Sequence, residues 1–237
     1  MTATSVRTER DEHVYRHFYR IPRMGVVGLT GHGGPFGFDI GAALAADRLL
    51  TAYRCDALVE TGCYLGDTTH YLAAAYPGRP LVGCDIVRAH VDFVRHRLRD
   101  HQDVEVHHGS SPTVVARVAA RHARPFFYLD AHSEESWPLI EELKAIERGV
   151  VCIDDFNIGH PRFAYDTWRG VACGPQLLSR VGDRVGEYWI LDPEADLPFP
   201  CLQTGRRGGK AWLVMGLDTA PMEECPWFLR RRVPERG

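Results

Sequence analysis

Lysine is nearly missing from this chain. Its 237 residues hold two, Lys144 and Lys210, against 26 arginines. Arginine codons are GC-rich and lysine codons AT-rich. The ratio fits a GC-rich bacterial genome and implies no special role for arginine. Long apolar runs are missing too. None approaches the roughly 18 residues of a membrane-spanning helix. Residues 1–20 are polar and charged, unlike a secretory leader. The seven cysteines form no CxxC pair and no Cys/His spacing suited to structural zinc. Cys84 and Cys152 sit inside apolar runs, where cysteine behaves as a small hydrophobe. The expectation is a reduced, cytoplasmic protein. Positive charge in excess is also lacking. The net charge is −3, which argues against a general nucleic-acid binder needing a basic face for phosphates. The basic run Arg230-Arg231-Arg232 reads as a solvated tail.

What is present is ordinary globular material. Hydrophobic residues make up 45% and charged residues 25%, enough for a real core. The length fits one α/β domain better than two. Residues 1–38 carry no clear period and include a glycine-rich stretch from Gly25 to Gly37, with Gly31, Gly33 and Gly34 at its centre. No Lys-Ser/Thr follows it, so it is not a phosphate loop. An entry loop or lid is the better reading. Residues 39–54 read as helical, and residues 1–54 together as an N-terminal lid and helical extension.

From residue 57 the pattern alternates. Ala57–Glu60, Leu81–Asp85, Val104–Val106, Phe126–Asp130 and Val150–Asp154 read as strands. Between them lie helical patterns over Thr68–Tyr76, through Val91, Val94 and Leu98, and through Val114, Val115 and Val118 after Pro112. A further helix reads from Ser133 as N-cap, with Glu134 and Glu135 in its first turn, through Leu139, Leu143 and Ile146. Residues 185–191 and 211–217 read as two closing strands. Alternating units of this kind predict a mostly parallel sheet covered on both faces, with ligands at the carboxyl ends of its strands.

The acids fall at those ends: Glu60, Asp85, Asp130, then Asp154 and Asp155. One strand-end Asp is most simply a cap. Four strand ends in five carrying acid point to a shared site. The first loop, Glu60-Thr61-Gly62-Cys63-Tyr64-Leu65-Gly66-Asp67-Thr68, is not G-x-G-x-x-G. Gly62 permits a tight turn, and Gly66 is expected to let backbone approach a ligand. Glu60 and Asp67 bracket the loop with negative charge, which suits a cationic cofactor better than a pyrophosphate. Asp85 suits ribose hydroxyls in either cofactor class.

The pattern Glu60-x-Gly62-x-x-x-Gly66-x-Thr68, followed by Gly83-x-Asp85, resembles the S-adenosyl-L-methionine (SAM) site of class I methyltransferases. Four later segments sharpen the resemblance: Phe127–His132, Trp137-Pro138-Leu139, Ile153–Phe156, and Pro161-x-Phe163-x-Tyr165-Asp166. With Thr204-Gly205-x-Arg207-Gly208, they are similar to bacterial enzymes related to macrocin O-methyltransferase, which act on specialised metabolites. The resemblance spans about residues 57–216. It implies a Rossmann-like, seven-stranded, mostly parallel sheet. It implies SAM held by Glu60, Thr61, Gly62, Tyr64, Gly66, Thr68, Asp85, Ile86, Gly109, Ser110, Ser111 and Asp130. It implies a small-molecule acceptor and a homo-oligomer; the charge and the lack of long apolar runs lead to no expected nucleic-acid or membrane partner.

In that family, acids matching Asp130, Asp154 and Asp155 bind Mg²⁺ and steer a substrate hydroxyl. A second acid often follows the strand-four Asp by two residues, where this chain has His132. That leaves two readings open: a Mg²⁺ at Asp130, Asp154 and Asp155, or His132 as base or softer ligand, with Asp130 and Asp155 beside it in the chemistry. His160 is a rival base. Tyr165, Asp166 and Trp168 are candidates for an acceptor pocket. Other reaction classes on the same site stay open: a non-methylating SAM enzyme, a non-catalytic partner subunit, or an NAD-linked oxidoreductase, for which the first loop is poorly suited.

Overall fold

The computed structural model describes residues 7–26, 28–29, 33–132, 137–182 and 184–235. Five short segments form the parallel centre: β1 (Ala57–Thr61), β2 (Leu81–Asp85), β3 (Val104–His108), β4 (Pro125–Leu129) and β5 (Gly149–Ile153). β1, β4 and β5 are buried along their whole length, so their sequences run apolar without alternating. Three more strands complete the sheet: β6 (Glu187–Leu191), β7 (Ala211–Met215) and β8 (Phe228–Arg232). The order across the sheet is β3-β2-β1-β4-β5-β7-β6-β8. β7 runs antiparallel to both β5 and β6, and β8 antiparallel to β6. The sheet is therefore mostly parallel and Rossmann-like, with one strand more than the seven expected. The extra strand contains Arg230-Arg231-Arg232, which corrects the reading of that run as a solvated tail. Arg230 pairs with Glu187 on the neighbouring strand and with Glu223. Charge on an edge strand also discourages pairing with another chain.

Helices cover both faces. α1 (Glu9–Phe18), α2 (Ile40–Ala52) and α3 (Asp67–Ala75) share a core with Phe126, Tyr128, Trp189 and Trp212. α5 (Ser111–Ala119) and α6 (Leu139–Ala145) cover the other face over Phe127, Leu129, Val151 and Ile153. α4 (Arg88–Arg97) packs Val91 and Val94 against Cys63 and Val106 near the β3 edge. α2 begins where Asp39 Oδ1 accepts from the amides of Gly41 and Ala42, the usual N-cap device. α1 falls in a stretch read as having no period. A capping box starts it, Thr8 and Asp11 each holding the other's backbone amide, and Val14 and Phe18 form its buried stripe. α6 is observed from Leu139; the expected cap Ser133 and first-turn Glu134 and Glu135 lie outside the described residues, as does Gly31 of the glycine-rich stretch. Among the described residues, no helix is long and apolar enough to cross a membrane.

The register brings the strand ends level. Glu60 pairs with Tyr128, and Leu129 with Ile153. The chain then turns out of each strand at one height, with the Asp130 amide bonded to the Thr61 carbonyl and the Asp154 amide to the Leu129 carbonyl.

Candidate active site

Three loops enclose a cleft of about 460 Å³ at the carboxyl ends of β1, β2 and β3. Gly62 and Tyr64 line it from the first loop, Asp85, Ile86 and Val87 from the second, and Gly109, Ser110 and Ser111 from the third. Asp130, Ala131 and His132 close its far wall. The volume is within the usual range for small-ligand sites, roughly 300–1,000 Å³. A larger groove of about 690 Å³ lies between α1 and the end of α3. It is remote from the strand ends, and its Arg10 is committed to Asp47.

The first loop owes its shape to two glycines. Gly62 has φ +72°, and a Cβ there would stand 2.2 Å from the Asp130 carbonyl oxygen. Only glycine lets the β1 and β4 loops touch. Gly66 has φ +74°, and its Cβ position is filled by Val94 of α4. Gly66 thus serves helix packing, which corrects its reading as a point of ligand approach. Asp85 organises the rim: one oxygen accepts from the Tyr64 amide at 2.9 Å, the other from the Val87 amide at 2.8 Å. Tyr64 and Ile86 remain 57% and 56% exposed beside it, an apolar surface open to the cleft. Ser110 precedes α5 without capping it through its side chain.

Four residues expected to touch a cofactor do not line the cleft: Glu60, Thr61, Gly66 and Thr68. Glu60 is buried beneath the loop and accepts from the Thr69 hydroxyl. Burial pushes its pKa up to about 8. Thr61 Oγ1 accepts from the Asp130 amide at 3.2 Å, and Thr68 Oγ1 from the Phe36 amide at 3.0 Å. The charge argument built on Glu60 and Asp67 therefore fails at the atomic level. Asp67 is paired with Arg97 at 2.6 Å and also accepts from the Met24 amide. Arg97 reaches on to the carbonyl of Pro22, so residues 22–24 are strapped across the start of α3.

Beyond β4 and β5 lies a second group. His132 has a side chain only 3% exposed, yet its Nε2 makes no hydrogen bond to a described residue. That nitrogen stands 3.9 Å from Asp130, 3.9 Å from Asp155 and 3.4 Å from Asp166. Trp137 stacks on the imidazole at 5.6 Å, and Trp168 packs against Trp137 at 6.2 Å. Burial would lower the imidazole pKa, but Asp155, Asp166 and Asp154 outweigh it and the net shift is upward. Burial and then the charges of Asp154 and Asp155 push the Asp130 carboxyl well above the usual range. Asp155 holds a left-handed backbone, φ +44°. Its amide donates to Asp154 Oδ1 at 2.8 Å, and Gly208 and Gly209 pack flat against this turn.

Asp154 does not join this group. Its carboxylate accepts from Lys210 Nζ at 2.6 Å, from the Asp155 amide and from the Tyr128 hydroxyl. Burial alone would raise its pKa; Lys210 reverses the effect and holds it ionised. The expected Mg²⁺ set of Asp130, Asp154 and Asp155 is corrected on that ground. The side chains that converge are Asp130, His132 and Asp155, whose candidate ligand atoms all lie within 4.8 Å of one another. This mixed nitrogen and oxygen set does not fit the oxygen-only preference of Mg²⁺. His160 is not part of the group: its Nδ1 accepts from the Arg162 amide and its ring packs on Phe163. Sequence reading missed Lys210 altogether and gave Asp166 only a place in the acceptor pocket.

No family model matches the chain, and neither does any curated protein. Among solved structures it is similar to the O-methyltransferase TomG from Streptomyces achromogenes, involved in tomaymycin synthesis and solved with SAM. Identity is 17%, with 89% of this chain and 92% of that one covered, at a TM-score of 0.50. It is likewise similar to cofactor-bound Rv0187 from MTB, at 18% identity over 88% of this chain and 90% of that one, with a TM-score of 0.50. The fold is that of the class I SAM-dependent methyltransferases. At such identity the likeness speaks for the fold alone.

Proposed function

We propose that the protein transfers the methyl group of SAM to a hydroxyl or amine of a small acceptor, as in bacterial specialised metabolism. The observation that carries this reading is the adjacency of two sites on one row of strand ends. The Tyr64–Asp85–Ser111 cleft meets the Asp130–His132–Asp155 group at a shared wall. Asp85 retains lone pairs for ribose hydroxyls, and Tyr64, Ile86 and Val87 offer apolar surface for an adenine. Asp130 stands between cleft and group, beside the position a sulfonium would take.

The reaction is an in-line displacement. The acceptor oxygen or nitrogen forms a bond to the methyl carbon as the carbon–sulfur bond breaks, and S-adenosylhomocysteine leaves as a neutral thioether. SAM is already activated, so the protein's main contributions are alignment and exclusion of water. The acceptor proton passes to the carboxylate–imidazole group. Proton transfer to a positioned group is worth typically ~10²–10⁴-fold. The Trp137–Trp168 pair, packed against the imidazole, supports an acceptor with an apolar portion.

The test is a panel of small hydroxyl- and amine-bearing acceptors, with S-adenosylhomocysteine counted against methylated product. One-for-one accumulation is expected. Product without S-adenosylhomocysteine would instead mean a cyclisation or elimination in which the cofactor keeps its methyl group. Asp130→Asn should lower turnover about 10²-fold while leaving SAM affinity within a few-fold. Equal losses in both would remove Asp130 from the chemistry.

A further inference from the structure

We infer that Asp130, His132 and Asp155 form a binding site for one divalent first-row transition ion of the Mn²⁺, Fe²⁺, Co²⁺ or Zn²⁺ class, and that the site discriminates against Mg²⁺. The inference goes beyond methyl transfer and does not depend on it.

Three observations carry it. The first is the orphaned imidazole. A buried polar nitrogen normally finds a partner. His132 Nε2 is enclosed by Trp137 on one side and aimed at carboxylates on the other, yet makes no hydrogen bond to a described residue. The second is the spacing. Charge-assisted N–H···O bonds run about 2.7–2.9 Å, and the gaps here are 3.4, 3.9 and 3.9 Å. They are too long for direct pairing. Ligand atoms about 2.0–2.2 Å from a shared metal ion stand about 3.0–3.5 Å from one another, so small side-chain rotations bring these groups onto an ion. The third is charge. Asp130, Asp154 and Asp155 converge here, and the Lys210 ammonium is bound to Asp154. A divalent ion on the open side of the cluster balances what Lys210 does not reach.

The donor types set the ion class. Imidazole nitrogen with carboxylate oxygen suits Mn²⁺, Fe²⁺, Co²⁺ and Zn²⁺, whereas Mg²⁺ favours oxygen donors and water. Lys210 occupies Asp154, the acid that would otherwise complete an all-oxygen set. Asp166, with a side chain 52% exposed, lies on the solvent side of His132 as a further oxygen donor.

The experiment uses the full chain stripped of metal, without SAM, and Mn²⁺ as the probe. Titration followed by electron paramagnetic resonance should show one Mn²⁺ per chain. Pulsed measurements should show coupling to an imidazole nitrogen. His132→Phe keeps the ring stacked on Trp137 and removes both nitrogens; it should abolish the coupling and weaken Mn²⁺ at least tenfold. Asp155→Asn should weaken Mn²⁺ similarly. Glu105→Gln, at the exposed β3 edge, should change nothing. Mg²⁺ in tenfold excess should leave the Mn²⁺ in place. The inference is overturned by absence of saturable Mn²⁺ binding to folded protein, by a bound ion without nitrogen coupling, or by Mg²⁺ competing at parity. Because SAM is absent throughout, none of these outcomes is confounded with failure of the cofactor site.

Discussion

Two buried side chains carry consequences that single substitutions expose. Lys210 is a compact ammonium on a flexible stem, buried and 2.6 Å from Asp154. Lys210→Met leaves the Asp154 carboxylate buried without its cation, at a cost of about 3–5 kcal/mol. Adding Asp154→Asn to that variant should recover a large part of the loss in denaturant unfolding, and strict additivity would show that the pair is not coupled. Glu60 behaves oppositely. Its pKa is pushed up from 4.5 to about 8 by burial. The folded chain thus holds a proton that the unfolded chain releases. That contribution is complete below the unfolded value, shrinks as pH rises above it, and is gone once pH passes through the folded value. Glu60→Gln is neutral at every pH. Its unfolding free energy should decline less than that of the wild type between about pH 5 and pH 9, the difference reaching a few kcal/mol. Parallel curves for the two proteins would assign the pH dependence elsewhere.

At the level of elements, the site rests on backbone segments that touch without side chains between them. Gly209 is one such point. A Cβ there would stand 2.1 Å from the Phe156 carbonyl oxygen, whereas one on Gly186 would meet nothing within 4 Å. The Phe156 amide is bonded to the Gly209 carbonyl, so the two segments cannot simply part. Gly209→Ala should cost about 1–3 kcal/mol, and Gly186→Ala should stay within about 0.5 kcal/mol, both read from chemical unfolding. Matching values would mean that the turn carrying Asp155 is not held by this contact. Elements with strong local signals were legible: the apolar runs of β1, β2, β4 and β5, and the helical pattern over Thr68–Tyr76. α1 escaped because its buried stripe is short, Val14 and Phe18, within a charged segment; the Thr8-x-x-Asp11 cap was the available sign. β8 escaped because three of its five residues are arginine, and only tertiary pairing with Glu187 makes them a strand.

For the molecule as a whole, the row of strand-end acids lies along one edge of the sheet, where the proposed site is built, because a parallel α/β sheet delivers every strand end to one edge. It did not sort the acids into roles. Glu60 went into the core, Asp85 to the rim of the cleft, Asp154 to Lys210, and only Asp130 and Asp155 to the group around His132. That division depends on Lys210 and on Gly208, more than fifty residues further along the chain, and spacing along the sequence does not encode it. The central claim is that the Tyr64–Asp85–Ser111 cleft binds SAM. Its most direct measurement is calorimetric titration of SAM into the wild type and into Gly62→Val, whose side chain would collide with the Asp130 carbonyl and reshape the cleft. One equivalent bound at micromolar affinity by the wild type, weakened at least tenfold in the folded variant, is the expected result. No binding to folded wild type, or equal binding to both, would contradict it.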